Sequence, residues 1–258
     1  MTLQFIVSGI GLYVLPVYSP QLGTFGMFGI IAALDLVALL MTHHLPGPAV
    51  VDPSQRERRS ELHVLLSAAT VFALIGFCVF EAANTAQFTY VERLGVALDF
   101  SDQQIGAMLL VASLIGIPGA FVIVLIGDRF GRIGPLALGI GVAIGGLVLF
   151  AFFSDNFALY LAGGLMVGFS WAYCLPYIQT LTAALDPRGS AIAAGASAST
   201  IGGAVGPGLA ALVVGEGEYR AVMLLAMVLF VIALSSFWQS NRALLAGKLE
   251  FRHGTLDS

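Results

Sequence analysis

Gly127-Asp128-Arg129-Phe130-Gly131-Arg132-Ile133-Gly134-Pro135 is a polar island between two long apolar runs. The runs can sit in hydrocarbon, whereas one acid and two arginines cannot, so the stretch reads as a short hairpin at a membrane surface. Composition agrees. Charged residues make up 10% of the chain, against roughly 25% in soluble domains. Hydrophobic residues reach 58%, and mean hydropathy is +0.93. A soluble protein of 258 residues could not cover its surface with so few charges. The solvent for most of this chain is lipid.

A spanning helix needs about 20 mostly apolar residues. Eight spans are predicted, near residues 3–18, 22–43, 64–90, 103–126, 135–153, 157–181, 190–213 and 219–240. The runs are continuous rather than alternating, which favours helices over barrel strands. No basic leader or small-residue cleavage site marks the first run as a signal peptide. If that run crosses from inside to outside, Arg56, Arg58, Arg59, Arg129, Arg132, Arg188, Arg242, Lys248 and Arg252 fall inside. Only Arg93 and Arg220 fall outside. This bias places both termini in the cytoplasm. The net charge of −4 gives no footprint for nucleic acid.

Cys78 and Cys174 both fall inside spans and read as small packing residues. No metal-ligand spacing, phosphate-binding loop or catalytic pattern is present, so no metal, cofactor or enzyme activity is expected. Pro46, Pro48 and Pro53, with the charges from Arg56 to Glu61, form the longest internal polar stretch. It divides the chain into two helices (1–45), a linker (46–63), six helices (64–240) and a tail (241–258).

Asp128-Arg129-Phe130-Gly131-Arg132 resembles the cytoplasmic loop signature of the major facilitator superfamily of secondary transporters. Asp186-Pro187-Arg188-Gly189 is similar to that family's turn before helix eleven. Tyr90-Val-Glu-Arg-Leu-Gly95, then Phe100-Ser101 and Gln104-Ile105-Gly106, resembles its passage from helix seven to eight. Val124 stands where the loop signature has Gly, and Ile133 where it has a second basic residue. The resemblance implies an all-α integral membrane fold of twelve helices in two halves. The eight spans here would be helices five to twelve: part of an N-terminal half and a complete six-helix C-terminal half. Helices one to four would be supplied by preceding sequence or by a partner chain. It further implies a bacterial inner-membrane location and transport of a small solute, with protons as the candidate coupling ion. Asp128, Arg129, Gly131 and Arg132 would form a cytoplasmic gating loop, against the plainer reading of a solvated topology anchor.

Ionisable residues inside spans are costly and are functional candidates by default. Glu81 lies well inside the third span, with Asn84, Gln87 and Tyr90 following on roughly one face. Ser170, Tyr173, Tyr177 and Thr180 form a second polar stripe near Trp171, with Pro176 expected to interrupt the helix. Aromatic rings with hydroxyls offer an apolar wall and a polar handle. These residues are the candidate substrate and coupling site, with Glu81 as the group that loads and releases a proton. Asp35 is a weaker candidate, as are Ser197, Ser199 and Thr200, since small hydroxyls also join helices. His43, His44 and His63 are explained by their interfacial positions. Gly141/Gly145, Gly164/Gly168 and Gly202/Gly206 are expected to let helices approach closely. Pro118, Pro176 and Pro207 are expected to mark bends. The alternatives to a carrier are a truncated, non-transporting scaffold or regulatory subunit, a membrane enzyme, and a channel.

Overall fold

Ser67 starts the first well-bounded helix by accepting a hydrogen bond from the Thr70 backbone N–H on its side chain. From there the computed structural model gives seven helices. They are α1 (Ala68–Ala97), α2 (Asp102–Leu114), α3 (Gly116–Ile126), α4 (Ile133–Phe152), α5 (Phe157–Leu185), α6 (Ser190–Val213) and α7 (Tyr219–Gly254). The structure describes residues 64–254 except 128, 187, 188 and 216, and some helical positions between 23 and 36. The expected span 3–18, most of 22–43, the 46–63 linker, Asp35, the three histidines and Asp128 lie outside the described residues. No strand occurs among the described residues.

Among the described residues six helices are long and apolar enough to cross a membrane, α2 and α3 together making one of them. The fold is all-α, with spans close to those expected from 64 onward. Three boundaries differ for local reasons. First, α1 continues past 90 to Ala97, and the turn that stops it is compact. Asp99 adopts a left-handed conformation (φ 58°) while Phe100 N–H bonds the Gly95 carbonyl and Asp99 N–H that of Val96. This is a Schellman ending. Ser101 and Gln104 then form a reciprocal capping box that starts α2. The sequence passage from Tyr90 to Gly106 is therefore a helix stop followed at once by a helix start.

Second, the expected span 103–126 breaks at Ile115. Pro118 has no N–H to give the Leu114 carbonyl, and α2 ends at that residue. Pro176 behaves differently from expectation: α5 runs through it unbroken, as α6 runs through Pro207. Thr180 donates its hydroxyl to the Pro176 carbonyl at 2.6 Å, one turn on. Third, α7 extends to Gly254 rather than stopping near 240.

Glycines set the spacing between helices. A Cβ on Gly168 of α5 would collide with the Ala112 backbone of α2, and one on Gly164 with Met108. A Cβ on Gly202 or Gly206 of α6 would strike the α1 backbone at Cys78 or Ala82. Both pairs permit the close approach expected of them. Of the third pair, Gly141 faces open space while Gly145 lies against the Met166 methyl, and on α4 the closest approaches are at Gly139, against Tyr173 and Cys174, and at Gly146, against Gly163. Inter-helix hydrogen bonds reinforce these seams. Tyr160 donates to the Val91 carbonyl (2.9 Å), Ser170 to Gly139 (2.7 Å) and Ser240 to Ala69 (2.6 Å). Large apolar side chains such as Phe121, Leu125, Leu138, Leu212 and Val228 are exposed, an outer surface suited to lipid rather than water.

Candidate functional site

Glu81 sits 13 residues into α1, about 20 Å along the helix from its start, and is buried. It opens a face that continues through Asn84, Thr85, Gln87, Phe88 and Val91, all lining one cavity of about 310 Å³. The facing walls come from Met108, Leu109, Ala112 and Ser113 of α2, Phe150 of α4, and Gly164, Val167, Gly168 and Trp171 of α5. The Trp171 side chain hydrogen-bonds the Glu81 carboxyl group, necessarily as donor when that group is ionised, since indole has only an N–H. That bond uses one of the several acceptor positions a carboxylate offers.

The remaining polar lining is sparse. Asn84 donates to the Phe80 carbonyl at 2.9 Å, which leaves its side-chain oxygen as an acceptor. Thr85 gives its hydroxyl to the Glu81 backbone carbonyl at 2.9 Å, so it works mainly within its own helix. Gln87 is buried. Among the described residues Glu81 is the one charged member of the lining.

Other residues singled out from the sequence are placed elsewhere. Tyr90 stands in the C-terminal part of α1, with its ring 6.3 Å from that of Tyr219 and Arg93 over it at 5.3 Å. Ser170, Tyr173 and Tyr177 turn away from the cavity into the core. Ser170 bonds Gly139, Tyr173 stacks on Phe169 at 5.6 Å, and Tyr177 lies 5.3 Å from Tyr173. Both tyrosine hydroxyls are buried, and among the described residues neither makes a well-formed hydrogen bond. Thr180 is exposed. The structure thus brings Glu81, Asn84 and Gln87 together with Trp171, and leaves the tyrosines outside that group.

In the polar island, Gly127 and Gly131 take positive φ (54° and 68°) to make the turn between α3 and α4. Arg129 is exposed and Arg132 half-buried. Asp186 has a role that sequence reading missed. Its carboxylate accepts from the backbone N–H groups of Ser190 (2.7 Å) and Ala191 (3.3 Å). It thereby satisfies two otherwise unpaired donors at the start of α6. The signal was available, since an acid just before a helix start is a capping pattern. Ser197 and Thr200 donate to carbonyls one turn back on α6. Among the described residues no group of His, Cys, Asp and Glu is arranged to hold a metal.

Six apolar spans among the described residues, four of which line a cavity that holds a buried acid, define a polytopic helical membrane protein. A family model described as Major Facilitator Superfamily matches residues 1–207. The chain belongs to that superfamily and is a membrane transport protein. A search of curated proteins found no match.

Proposed function

We propose that this chain moves a small organic solute by alternating access, with the cavity around Glu81 as the solute site. The observation that carries this reading is a buried carboxyl group midway along a span, lining a cavity shared by α1, α2, α4 and α5. An acid held so far from bulk water needs a task or a partner. Here it has a hydrogen-bond donor and a space large enough for a small molecule. Glu81 doubles as the proton-loading group, so that transport draws on a proton gradient.

The remaining parts follow the family plan. Residues 1–45 are the end of an N-terminal half, 46–63 a linker, 64–240 the six-helix C-terminal half, and 241–258 a cytoplasmic tail. The termini and the 127–132 loop face the cytoplasm of a bacterial inner membrane. There Asp128, Arg129 and Arg132 latch and release neighbouring helices.

Ser113 lines the cavity 11 residues into α2 and gives a test that needs no known substrate. A chain carrying Ser113→Cys, with Cys78 and Cys174 replaced by Ala, is labelled with a membrane-impermeant maleimide in right-side-out and in inverted vesicles. Alternating access predicts labelling from both sides. Labelling from one side only, or from neither, would sink the carrier reading in favour of a scaffold. For coupling, Glu81→Gln is expected to abolish the proton dependence of transport; an unchanged dependence removes Glu81 from that role.

A further inference from the structure

We propose that the cavity around Glu81 selects a lipophilic organic cation, of the chemical class of an aryl-bearing quaternary or protonated amine. The proposal rests on the reading of this cavity as the solute site and adds the chemistry it recognises.

The first ground is charge. Among the described residues Glu81 is the one charged side chain in the lining, and no described Lys, Arg or His joins it. The described cations stand elsewhere. Arg93, Arg220 and Arg242 lie over the rings of Tyr90, Phe152 and Trp238, at 5.3, 4.1 and 5.0 Å. Arg129 and Arg132 belong to the turn between α3 and α4. Among the described residues the buried Glu81 carboxylate meets a neutral indole donor and no counter-charge, and a bound cation supplies one. An anionic solute would meet like charge in a medium that screens poorly.

The second ground is the wall. Phe88, Phe150 and Trp171 contribute three aromatic rings, and aromatic faces attract ammonium-type cations with most effect when both are desolvated. Apart from Glu81, Asn84, Thr85, Gln87, Ser113 and the Trp171 N–H, the described lining is apolar, and Thr85 is bonded to its own helix. A polyhydroxylated solute would leave several hydroxyls unpaired in such a space, each desolvated without a hydrogen bond in return. A cation whose charge is wrapped in methylene or methyl groups asks for one carboxylate and an apolar shell. The lining provides both.

The test uses the full chain in lipid vesicles. The sequence has two tryptophans, so Trp238→Phe, a change outside the cavity, leaves Trp171 as the sole emitter beside Glu81. Benzyltrimethylammonium and phenylmethanesulfonate are the probes, alike in shape and opposite in charge. The expected result is that the ammonium ion alone shifts or quenches Trp171 emission saturably. Glu81→Gln is expected to weaken that binding at least tenfold, while Glu81→Asp keeps the preference for the cation.

Equal or tighter binding of the sulfonate overturns the cation class, as does unchanged ammonium affinity in Glu81→Gln. Both outcomes leave the cavity standing as a solute site. Failure of both ions to bind, with Ser113→Cys still reached from both membrane faces, likewise overturns only the cation class. Failure of binding together with an unreachable Ser113→Cys overturns the solute-site reading as well.

Discussion

The stripe Glu81, Asn84, Gln87 on α1 and the stripe Ser170, Tyr173, Tyr177 on α5 have comparable helical spacing and different surroundings. The first lines a cavity. The second is sealed against α4, where Ser170 bonds the Gly139 carbonyl and a Cβ on Gly139 would meet Tyr173. On α5 the cavity is lined instead by Gly164, Val167, Gly168 and Trp171, a face one residue, or about 100°, away from the hydroxyl stripe. Polar side chains at helical spacing therefore do not identify a cavity. What identifies it is which face the neighbouring helices leave uncovered, and small residues decide that by fixing how near each neighbour comes.

The largest expected effect lies at the seam that builds the cavity wall. Gly168→Ala forces a methyl group against the Ala112 backbone of α2 and should destabilise the protein by about 1–3 kcal/mol, as overpacking does. Gly141→Ala, on a face with nothing nearby, should be neutral or stabilising by up to about 1 kcal/mol, from helix propensity alone. Thermal unfolding in detergent, followed by a thiol-reactive dye that reports exposure of buried Cys174, separates the two. Equal effects would mean that the glycine seam does not set the spacing.

Adjacent residues on α5 give the next contrast. Ser170→Ala should cost about 0.6–1 kcal/mol of stability, the scale of an inter-helix hydrogen bond in a membrane protein, with probe binding unchanged. Trp171→Phe removes the donor to Glu81 and should lower affinity severalfold with a smaller effect on stability. Isotope-labelled ligand binding reads both variants, and a reversal of the pattern would place Ser170, not Trp171, at the solute.

The smallest effect is expected at the buried hydroxyls. Tyr177→Phe deletes a polar atom that makes no well-formed hydrogen bond among the described residues, so stability should be unchanged or slightly higher, because a poorly paired buried hydroxyl is a liability. Transport should be unaffected. A transport defect in a stably folded Tyr177→Phe protein would show that the hydroxyl finds a partner in another conformation of the cycle, and the second stripe would become functional after all.

Glu81 was legible as a candidate because a charge in the middle of an apolar run stands out against the cost of placing it there. Asn84 and Gln87 followed from helical periodicity. The same periodicity drew attention to Tyr173, Tyr177 and Thr180, because it gives a face without naming the neighbour that face meets. Trp171 was noticed only as lying near the second stripe; its bond to Glu81 depends on α1 and α5 being packed side by side. Pro118 and Pro176 look equivalent in sequence, yet one coincides with a helix break and the other sits in a continuous helix. Residue type alone therefore does not decide whether a helix breaks.

The sequence by itself determined that this chain lives in a bilayer and where its apolar spans from residue 64 onward lie. It also determined that the polar island turns between two of them. Hydrophobic length and the cost of burying charge are local, additive quantities that can be read along a chain. Only the tertiary structure decided which side of each helix faces a cavity, a neighbour or lipid. That choice depends on contacts between residues far apart in sequence, such as Gly168 with Ala112 and Glu81 with Trp171, and on the sub-ångström fit between backbones that glycine allows.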